Sequence, residues 1–380
     1  MKNITSFIIC LFSIGVFAQK KVEEVQSKKL NVTRQITISL PASYEKEPDR
    51  KYPLLFLLDG EYLVDAFSGA LTYANYWDDL PQVIIVGISQ NANGERFLDS
   101  QFNPETGVPE ESGAKFYDFI ATELIPALEK NYRLAPFKVI AGHDTTAGFL
   151  NFFLYKDKPL FNAYISLSPE LAPEMETRIA DRLSTFQQPI FYYQATADGD
   201  LKKMSKRIQE LDQNIKAKTN PNLNYRFDDF KSATHYSLVL NAIPNALYQI
   251  FGAYQPISTI EFQEKIATLP SGYVDYLKNK YDIVEKSLGI KMPIRINDFK
   301  AIEAAILKNK TFAEFQLLSD LAKKNYPKTM LADYEQGMFY EHTLDYKRAA
   351  KSYMNGFAKN EIGDLTKDMM LEKADAMKNR

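Results

Sequence analysis

Up to about residue 254, the sequence alternates between apolar runs and amphipathic segments. Continuous apolar runs are typical of strands that are covered on both faces. They occupy residues 52–60 (YPLLFLLDG), 82–88 (QVIIVGI), 137–144 (FKVIAGHD) and 190–200 (IFYYQATADGD). Alternating polar and apolar positions at 31–41 (NVTRQITISLP) predict a strand with one wet face, and YRFDDF at 225–230 predicts a shorter strand.

The segments between these runs have the spacing of helices. In FYDFIATELIPALEKNY, residues 116–132, the apolar positions Phe116, Ile120 and Leu124 recur every four residues. Strands that alternate with helices predict a mostly parallel sheet flanked by helices. Ligands of such sheets bind at the carboxyl ends of the strands.

The pattern changes near Tyr254, and this change predicts a second domain. Residues 256–380 are rich in Lys, Glu, Ala, Leu and Met and have no strand pattern, so we expect a smaller all-helical domain there, after a sheet domain at 19–255. Within 332–358, small and aromatic residues occupy the packing positions of a tetratricopeptide helix pair: Gly337, Tyr340, Ala349, Tyr353 and Gly356. A generic helical hairpin explains the same spacing, and both interpretations remain open.

The first residues, MKNITSFIICLFSIGVFAQ, have the pattern of a secretory signal peptide at 1–18. One Lys precedes an apolar run, and Val16-Phe17-Ala18 ends in a small residue at which a peptidase could cut. The run is shorter than the roughly 20 residues of a membrane-spanning helix. We therefore expect a secreted or periplasmic mature chain without a transmembrane segment. The only cysteine, Cys10, lies in this run, so the mature chain would have no disulfide.

Charge and motif content exclude several classes of function. With 46 Lys+Arg against 48 Asp+Glu, the formal net charge is -2, which gives no basic field for nucleic acid. The sequence contains neither a phosphate-binding glycine motif nor a histidine cluster with the spacing of metal ligands. We therefore predict neither a cofactor nor a metal.

The candidate chemistry begins at VIAGHDTTAGFL, residues 139–150, where an apolar run ends in Gly-His-Asp. In α/β-hydrolases the nucleophile sits on a sharp strand-to-helix turn, and the acid and the histidine follow in that order. Asp144 has the nucleophile's place, and His235 follows the last predicted strand. Asp198 and Asp200 both follow the strand before it, and Asp198 is the preferred acid.

Two backbone N–H groups are candidates for an oxyanion hole. This fold takes one donor from the loop after the strand at 52–60, near Glu61, and one from the residue after the nucleophile, Thr145. A tight turn that bends at Gly60 is the alternative explanation of the first position.

Several separated segments together resemble one known family. They are LLFLLDGEY (54–62), ERFLDSQFNP (95–104) with an Arg-x-x-Asp pattern, SGAKFYDFIATELIPALEKNYR (112–133), AGHDTTAGFL (141–150), FNAYISLSPEL (161–171) and the loop around His235. Over about residues 30–254, the chain is similar to the esterase family that includes esterase D and the siderophore esterases. This resemblance implies an α/β-hydrolase fold and a small-molecule ester or related ligand. The C-terminal helices would then offer a surface for a protein partner.

The chain departs from that family at the nucleophile. The family pattern is Gly-His-Ser-x-Gly-Gly, whereas Asp144 replaces the serine, and Thr146 and Ala147 replace the glycines. Because Thr146 is β-branched, we expect a relaxed turn and an impaired serine esterase.

Two other interpretations of Asp144 remain open. Haloalkane dehalogenases and epoxide hydrolases attack with an aspartate, although in them a Trp follows it, where this chain has Thr145. Alternatively, Asp144 caps the helix that follows, and the chain is a pseudohydrolase that acts as a binding or scaffolding module.

Overall fold

The computed structural model describes residues 20–380, so the predicted signal peptide at 1–18 lies outside the described residues. The described chain divides into two compact units. The first comprises the described residues up to Ala70 and Gln82–Ile243, and the second comprises Leu71–Pro81 and Pro244–Arg380.

The first unit contains one sheet of eight strands. They are β1 (Lys20–Ser27), β2 (Val32–Ser39), β3 (Tyr52–Leu57), β4 (Ile84–Ile88), β5 (Leu134–His143), β6 (Ala163–Leu167), β7 (Ile190–Ala197) and β8 (Leu223–Phe230). Their order is β1-β2-β4-β3-β5-β6-β7-β8. The β1–β2 and β2–β4 pairs are antiparallel, and the other neighbours are parallel.

The parallel register brings the carboxyl ends of the central strands to one edge. Leu57 of β3 lies opposite Ala141 of β5, and Leu167 of β6 lies between His143 and Ala195 of its neighbours. β3, β4 and β6 are buried along their whole length, as expected for apolar strands covered on both faces.

Helices flank this sheet. They are α1 (Gly60–Tyr76), α2 (Glu95–Asp99), α3 (Glu111–Phe119), α4 (Ile125–Asn131), α5 (Thr145–Phe149), α6 (Met175–Thr185), α7 (Lys202–Lys216) and α8 (Ser237–Ile250), with 3-10 turns at Ala92–Gly94, Leu150–Tyr155 and Gly252–Tyr254. A π-helical turn, Ile120–Leu124, joins α3 to α4, so the helix predicted at 116–132 is continuous but not regular. The last residues of α1 and of α8 belong to the second unit.

The rest of the second unit is helical. Its helices are α9 (Thr259–Glu261), α10 (Tyr273–Leu288), α11 (Ile296–Asn309), α12 (Glu314–Asn325), α13 (Leu331–His342), α14 (Tyr346–Phe357) and α15 (Lys367–Lys378), with a π-helical turn at Phe262–Ile266. No helix within residues 20–380 is long and apolar enough to cross a membrane.

The hairpin of α13 and α14 depends on close packing. A Cβ on Gly337 would come within 2.3 Å of the Tyr353 ring, so only glycine fits there. The Asp345 side chain accepts a hydrogen bond from the Arg348 N–H at 3.2 Å and thereby caps the start of α14. The tetratricopeptide interpretation of this hairpin stays a prediction.

The predicted fold class, an α/β-hydrolase sheet followed by a helical C-terminal region, is confirmed. The six strands predicted from apolar or alternating runs are all present. β1 and β6 were not predicted, because β1 is a largely exposed strand rich in charge and β6 has only five residues.

Candidate functional site

Asp144 occupies a strained turn between β5 and α5. Its φ of 59° and ψ of -121° are unusual for a residue with a side chain, and such strain persists only where the surroundings hold it. The Asp144 N–H donates to the Leu167 carbonyl at 2.9 Å, and the Asp144 carbonyl accepts from Gly148 and Glu170 at 3.0 and 3.1 Å. The backbone therefore has the sharp strand-to-helix turn that presents a nucleophile in this fold.

Thr146 does not relax this turn, contrary to the sequence-based expectation. Its hydroxyl accepts a hydrogen bond from the His143 N–H at 3.0 Å and donates one to Asp59 Oδ2 at 2.6 Å. These two hydrogen bonds stabilise the turn. The close approach of strand and helix falls on Gly142, where a Cβ would lie 2.9 Å from atoms of Thr146. The β-branched side chain fits because its hydroxyl has two partners.

The carboxylate of Asp144 does not cap α5, because it accepts no hydrogen bond from the backbone of the first turn. Its two oxygens have different surroundings. Oδ2 accepts from Arg96 Nη1 at 3.2 Å and from Thr145 Oγ1 at 3.4 Å. Oδ1 lies 3.9 Å from Nε2 of His235.

His235 is held by a buried carboxylate, that of Asp200. His235 Nδ1 and Asp200 Oδ1 are 2.7 Å apart. Asp200 also accepts from the Ser168 hydroxyl at 2.8 Å, from the Thr196 hydroxyl at 2.7 Å and from the Ala197 N–H at 3.0 Å. These contacts fix the orientation of the imidazole and leave Nε2 turned towards Asp144.

The pKa values of His235 and Asp200 are both shifted in the direction that favours an ion pair. The hydrogen bond that His235 donates to Asp200 raises the pKa of His235 above its usual value, burial opposes this, and the charge of Asp144 adds to it. Burial by itself would raise the pKa of Asp200, but hydrogen bonds from His235, Ala197 and other donors outweigh it and hold the pKa below its usual value.

Asp198, the acid preferred from the sequence, does not face His235. It is exposed, accepts from the Ser232 N–H at 2.9 Å and lies 3.5 Å from Lys231 Nζ. The turn after β7 directs Asp198 outwards and returns the chain so that Asp200 reaches the sheet edge, where its N–H donates to Ala197. The partner of His235 is therefore Asp200.

Arg96 is a site residue that sequence reasoning missed. Its Nε donates to Asp59 Oδ1 at 2.6 Å, its Nη2 to the His143 carbonyl at 2.8 Å, and its Nη1 to Asp144. Asp59 is buried and also accepts from Tyr62 Oη at 2.8 Å. The Arg-x-x-Asp pattern at 96–99 was the available signal, but nothing local connects it to a turn that follows more than 40 residues later.

The two predicted oxyanion donors both lie in the first turns of helices. Glu61 is the second residue of α1 and Thr145 is the first of α5, so neither backbone N–H has an acceptor within its helix. The Glu61 side chain accepts from the Ser89 hydroxyl and the Gln90 N–H, both at 2.6 Å. The oxyanion role of both residues stays a prediction.

His143 packs beside His235. Burial, assisted by the charge of His235, lowers the pKa of His143. Its Nε2 donates to the His235 carbonyl at 3.0 Å, and the two ring centroids are 4.5 Å apart. His143 therefore supports the loop that carries His235.

A cleft of about 470 Å³ opens over these residues. It is lined by Tyr62, Ala66, Arg96, His143, Asp144, His235, Tyr236, Val239 and Leu240. Tyr236 and Leu240 are 79% and 67% exposed, so the rim is apolar while the floor is charged. A cleft of this volume has the size of a small-molecule site.

The model of one protein family, described as "Putative esterase", matches residues 27–224, which is more than half of the chain. The chain belongs to this esterase family. The resemblance inferred from the separated segments is thereby confirmed. No curated protein matches the chain.

Solved structures extend the likeness beyond the esterase-family segment. An uncharacterised protein from Capnocytophaga ochracea is 28% identical, with a TM-score of 0.86 over 95% of this chain and 100% of its own. An IroE-like serine hydrolase from Shewanella oneidensis is 22% identical, with a TM-score of 0.60 over 80% of this chain and 99% of its own. A siderophore hydrolase, EstA, from Aspergillus nidulans is 15% identical, with a TM-score of 0.52 over 66% of this chain and 100% of its own. The last two support the fold alone.

Within the esterase fold, the site retains the histidine, its acid and the strained turn, while an aspartate stands at the nucleophile position. Among residues 20–380, no group of three or more His, Cys, Asp or Glu side chains is arranged to hold a metal ion. The charged and titratable side chains that line the site include the Asp144 carboxylate, the His143 and His235 imidazoles and the Arg96 guanidinium.

Proposed function

We propose that this esterase-family chain is a hydrolase whose covalent nucleophile is the Asp144 carboxylate, and that it does not act as a serine esterase. The observation that carries the proposal is the asymmetry of the two Asp144 oxygens. Oδ2 is held by Arg96 and Thr145, while Oδ1 faces the cleft and His235. A nucleophile needs one free oxygen and one oxygen whose developing charge is stabilised.

In the first step, Oδ1 attacks a saturated carbon that carries a leaving group. A C–O bond forms, the bond to the leaving group breaks, and the leaving group departs with that electron pair. A halide or a carboxylate needs no proton, whereas an epoxide oxygen takes one from solvent at the open rim. Asp144 becomes a neutral ester whose carbonyl oxygen, Oδ2, stays against Arg96.

In the second step, His235 takes a proton from water, and the hydroxide attacks Cγ of the Asp144 ester. Negative charge then develops on Oδ2, where Arg96 Nη1 donates. Collapse breaks the bond between Cγ and Oδ1, and the proton on His235 passes to the departing alcohol. The carboxylic acid left at Asp144 then releases its proton to solvent, which restores the carboxylate. Asp200 stabilises the transient imidazolium through its 2.7 Å contact with His235 Nδ1.

The ligand class we propose is a small molecule that carries an ester or a related electrophilic carbon. Membership of the esterase family supports this class. The apolar rim and charged floor of the cleft also support it, since an apolar group would lie along Val239 and Leu240 with its reactive carbon at Asp144.

The test is single-turnover labelling in ¹⁸O water with excess protein, using styrene oxide, 1-bromohexane and an activated alkyl ester. If Asp144 attacks, the label enters the Asp144 carboxylate, and the product carries an unlabelled oxygen. His235→Gln should accumulate an ester adduct on Asp144 that mass spectrometry locates. Asp144→Ala should abolish turnover, and Asp144→Asn should nearly do so.

Asp198→Asn is the matched control, because Asp198 is an exposed aspartate that does not contact His235. The Asp198→Asn protein should hydrolyse the three substrates at the wild-type rate. Label found in the product alone, or turnover that survives Asp144→Ala, would exclude the covalent proposal.

One observation favours a second candidate, a pseudohydrolase that binds a ligand without hydrolysing it. The ion pair between Arg96 and Asp144, at 3.2 Å, lowers the reactivity of the carboxylate by neutralising part of its charge. A pseudohydrolase would bind a small ester in the cleft with no turnover, and Leu240→Arg would abolish that binding. Under this candidate, the C-terminal helices would serve as the surface for a protein partner.

We further propose that residues 1–18 are removed and that the mature chain is secreted or periplasmic, with an esterase domain at 19–255 and a helical domain at 256–380. The apolar run and the small residue Ala18 support the cleavage. The second compact unit comprises Leu71–Pro81 and Pro244–Arg380, so its limits differ from the proposed domain boundary at 255/256.

A further inference from the structure

The helical unit contains a cavity of its own, about 260 Å³ in volume. Much of its wall is apolar and comes from α11, α13 and α15 and the segment before α15: Ile296, Phe299, Leu307, Leu331, Leu365 and Met369. The polar side chains in the wall include two glutamates, Glu303 and Glu335.

Glu335 is the unusual member of this wall. Its side chain is fully buried, and neither carboxylate oxygen has a hydrogen-bond partner. Buried polar groups are nearly always paired, and an unpaired one costs about 1–3 kcal/mol, more if it is charged. This carboxyl group lies in the wall of the cavity, where a ligand with hydrogen-bond donors would supply the missing partner.

The neighbouring charged groups do not meet that need. Glu303 accepts from Tyr334 Oη at 3.2 Å and adds a second acid to the site. Lys300 pairs with Asp364 at 2.6 Å, and Lys373 pairs with Glu341 at 3.0 Å. The charges of Lys300 and Lys373 act on Glu303, but both lysines form ion pairs with other carboxylates.

We propose that this cavity binds an alkylammonium group, with its N⁺–H donors on Glu335 and its carbon chain along Phe299 and Leu331. A linear primary amine matches both parts of the wall, because it has up to three donors at one end and an apolar stem. The source is either a free amine or the lysine side chain of a partner. The proposal is independent of the chemistry at Asp144.

The site should release a proton on binding. Burial raises the pKa of Glu335 well above its usual value, and the charge of Glu303 raises it further. Burial also raises the pKa of Glu303. In the empty cavity these groups therefore keep protons at a pH at which ordinary glutamates have lost them, and a bound cation favours the ionised form. Affinity should rise as the pH is raised, since alkylamines stay charged to about pH 10.

The experiment is calorimetric titration of the mature full-length protein with n-hexylamine, in buffers of different ionisation enthalpy and at two pH values. We expect saturable binding with proton release and tighter binding at the higher pH. Glu335→Gln should weaken binding at least tenfold, because the isosteric amide removes the charge. Glu372→Gln, at an exposed position on α15, is the matched control and should bind like the wild type.

Two further arms make the outcome decisive. 1-Hexanol has the same stem without the charge, and binding as tight as that of hexylamine would overturn the proposal, as would unchanged affinity in a folded Glu335→Gln. If Glu335→Gln does not fold, Glu303→Gln replaces it with the same expected direction. If hexylamine binds, a lysine-containing tetrapeptide distinguishes the two sources. Binding of the tetrapeptide assigns the site to the lysine of a partner protein, and its failure to bind assigns the site to a free amine.

Discussion

At the residue scale, the strained turn at Asp144 is what makes the site testable by a single substitution. Thr146 holds the turn through His143 and Asp59, so its side chain need not be removed to present a nucleophile. We expect Asp144→Ser alone to raise hydrolysis of p-nitrophenyl acetate by at least about 100-fold over the wild type. In a serine esterase the serine, the histidine and the acid act as a unit, and of these three only the serine is missing here.

The control for this gain is Asp144→Ala, which presents no hydroxyl and should hydrolyse p-nitrophenyl acetate no faster than the wild type. Adding Thr146→Gly to Asp144→Ser should give no further increase, because the turn is already formed. If the double variant were active and the single one inactive, Thr146 would be a barrier to catalysis despite its hydrogen bonds.

The three histidines should titrate in a fixed order. The pKa of His235 is raised, chiefly by its hydrogen bond with Asp200, whereas burial lowers the pKa values of His143 and His342. NMR titration should therefore give His235 a midpoint above 6.5 and the other two midpoints below it. Asp200→Asn removes the main cause and should bring the His235 midpoint down.

The sign of the linked effects follows from this direction. A base must be neutral, so any rate that depends on His235 should be lost as the pH falls through its raised pKa. The stability contributed by the His235–Asp200 pair has the opposite pH dependence. It is fully present below pH 6.5 and is lost as the pH rises through the folded-state pKa of His235. A His235 midpoint below that of His143 would contradict the geometry of the pair.

At this scale, the sequence predicts the candidate site residues that directly follow strands. It does not predict those whose place in the site depends on three-dimensional contacts. Asp144 and His235 follow from chain order, since each comes after a recognisable strand. Asp198 and Asp200 are two residues apart, and only the turn between them determines which one reaches the imidazole. Arg96 is distant in sequence, and its contact with Asp144 has no local signature.

At the scale of elements, α13 and α14 cross so closely that a single methyl group should disturb them. A Cβ on Gly337 would meet the Tyr353 ring at 2.3 Å, and the hydroxyl of that buried tyrosine is held by Glu341 at 2.6 Å. The ring cannot retreat without losing this bond. We expect Gly337→Ala to lower the free energy of unfolding by about 1–3 kcal/mol, measured by urea denaturation.

Gly69→Ala is the matched control, because Gly69 also lies within a helix, α1, and a Cβ there would meet nothing within 4 Å. That change should leave stability unchanged or raise it by about 0.5–1 kcal/mol through helix propensity. Equal stability of the Gly337→Ala protein and the wild type would mean that the two helices can separate freely.

Elements were predictable where burial imposes a pattern on the sequence. β3 and β4 are buried on both faces and read as apolar runs, so they were recovered. β1 is rich in lysine and glutamate, which carry little strand preference, and it is recognisable only through its pairing with β2. The π-helical turn between α3 and α4 has no compositional signal, because the apolar spacing continues through it.

At the scale of the whole molecule, the predicted processing has a simple chemical signature. If residues 1–18 are removed, the chain loses Cys10, its only cysteine. Intact-mass measurement of the exported protein should give a chain that begins at Gln19. Thiol titration of the denatured protein should find no free thiol, and a reducing agent should not change the melting temperature. Residues 1–18 retained on the recovered protein would contradict the proposal.

The limits of the two compact units bear on how this protein could have arisen and how it can be cut. Two of the three boundaries fall inside helices, after Ala70 in α1 and after Ile243 in α8, and the third, after Pro81, falls between α1 and β4. Buried residues Leu71 and Leu80 belong to the second unit, although they precede most of the sheet in the sequence. A gene truncated at codon 255 would still encode the segment Leu71–Pro81 while removing Arg295, whose Nε donates to Asp78 Oδ2 at 2.5 Å. The C-terminal helices are thus not a detachable module: their acquisition or loss would require coordinated change at two places in the coding sequence.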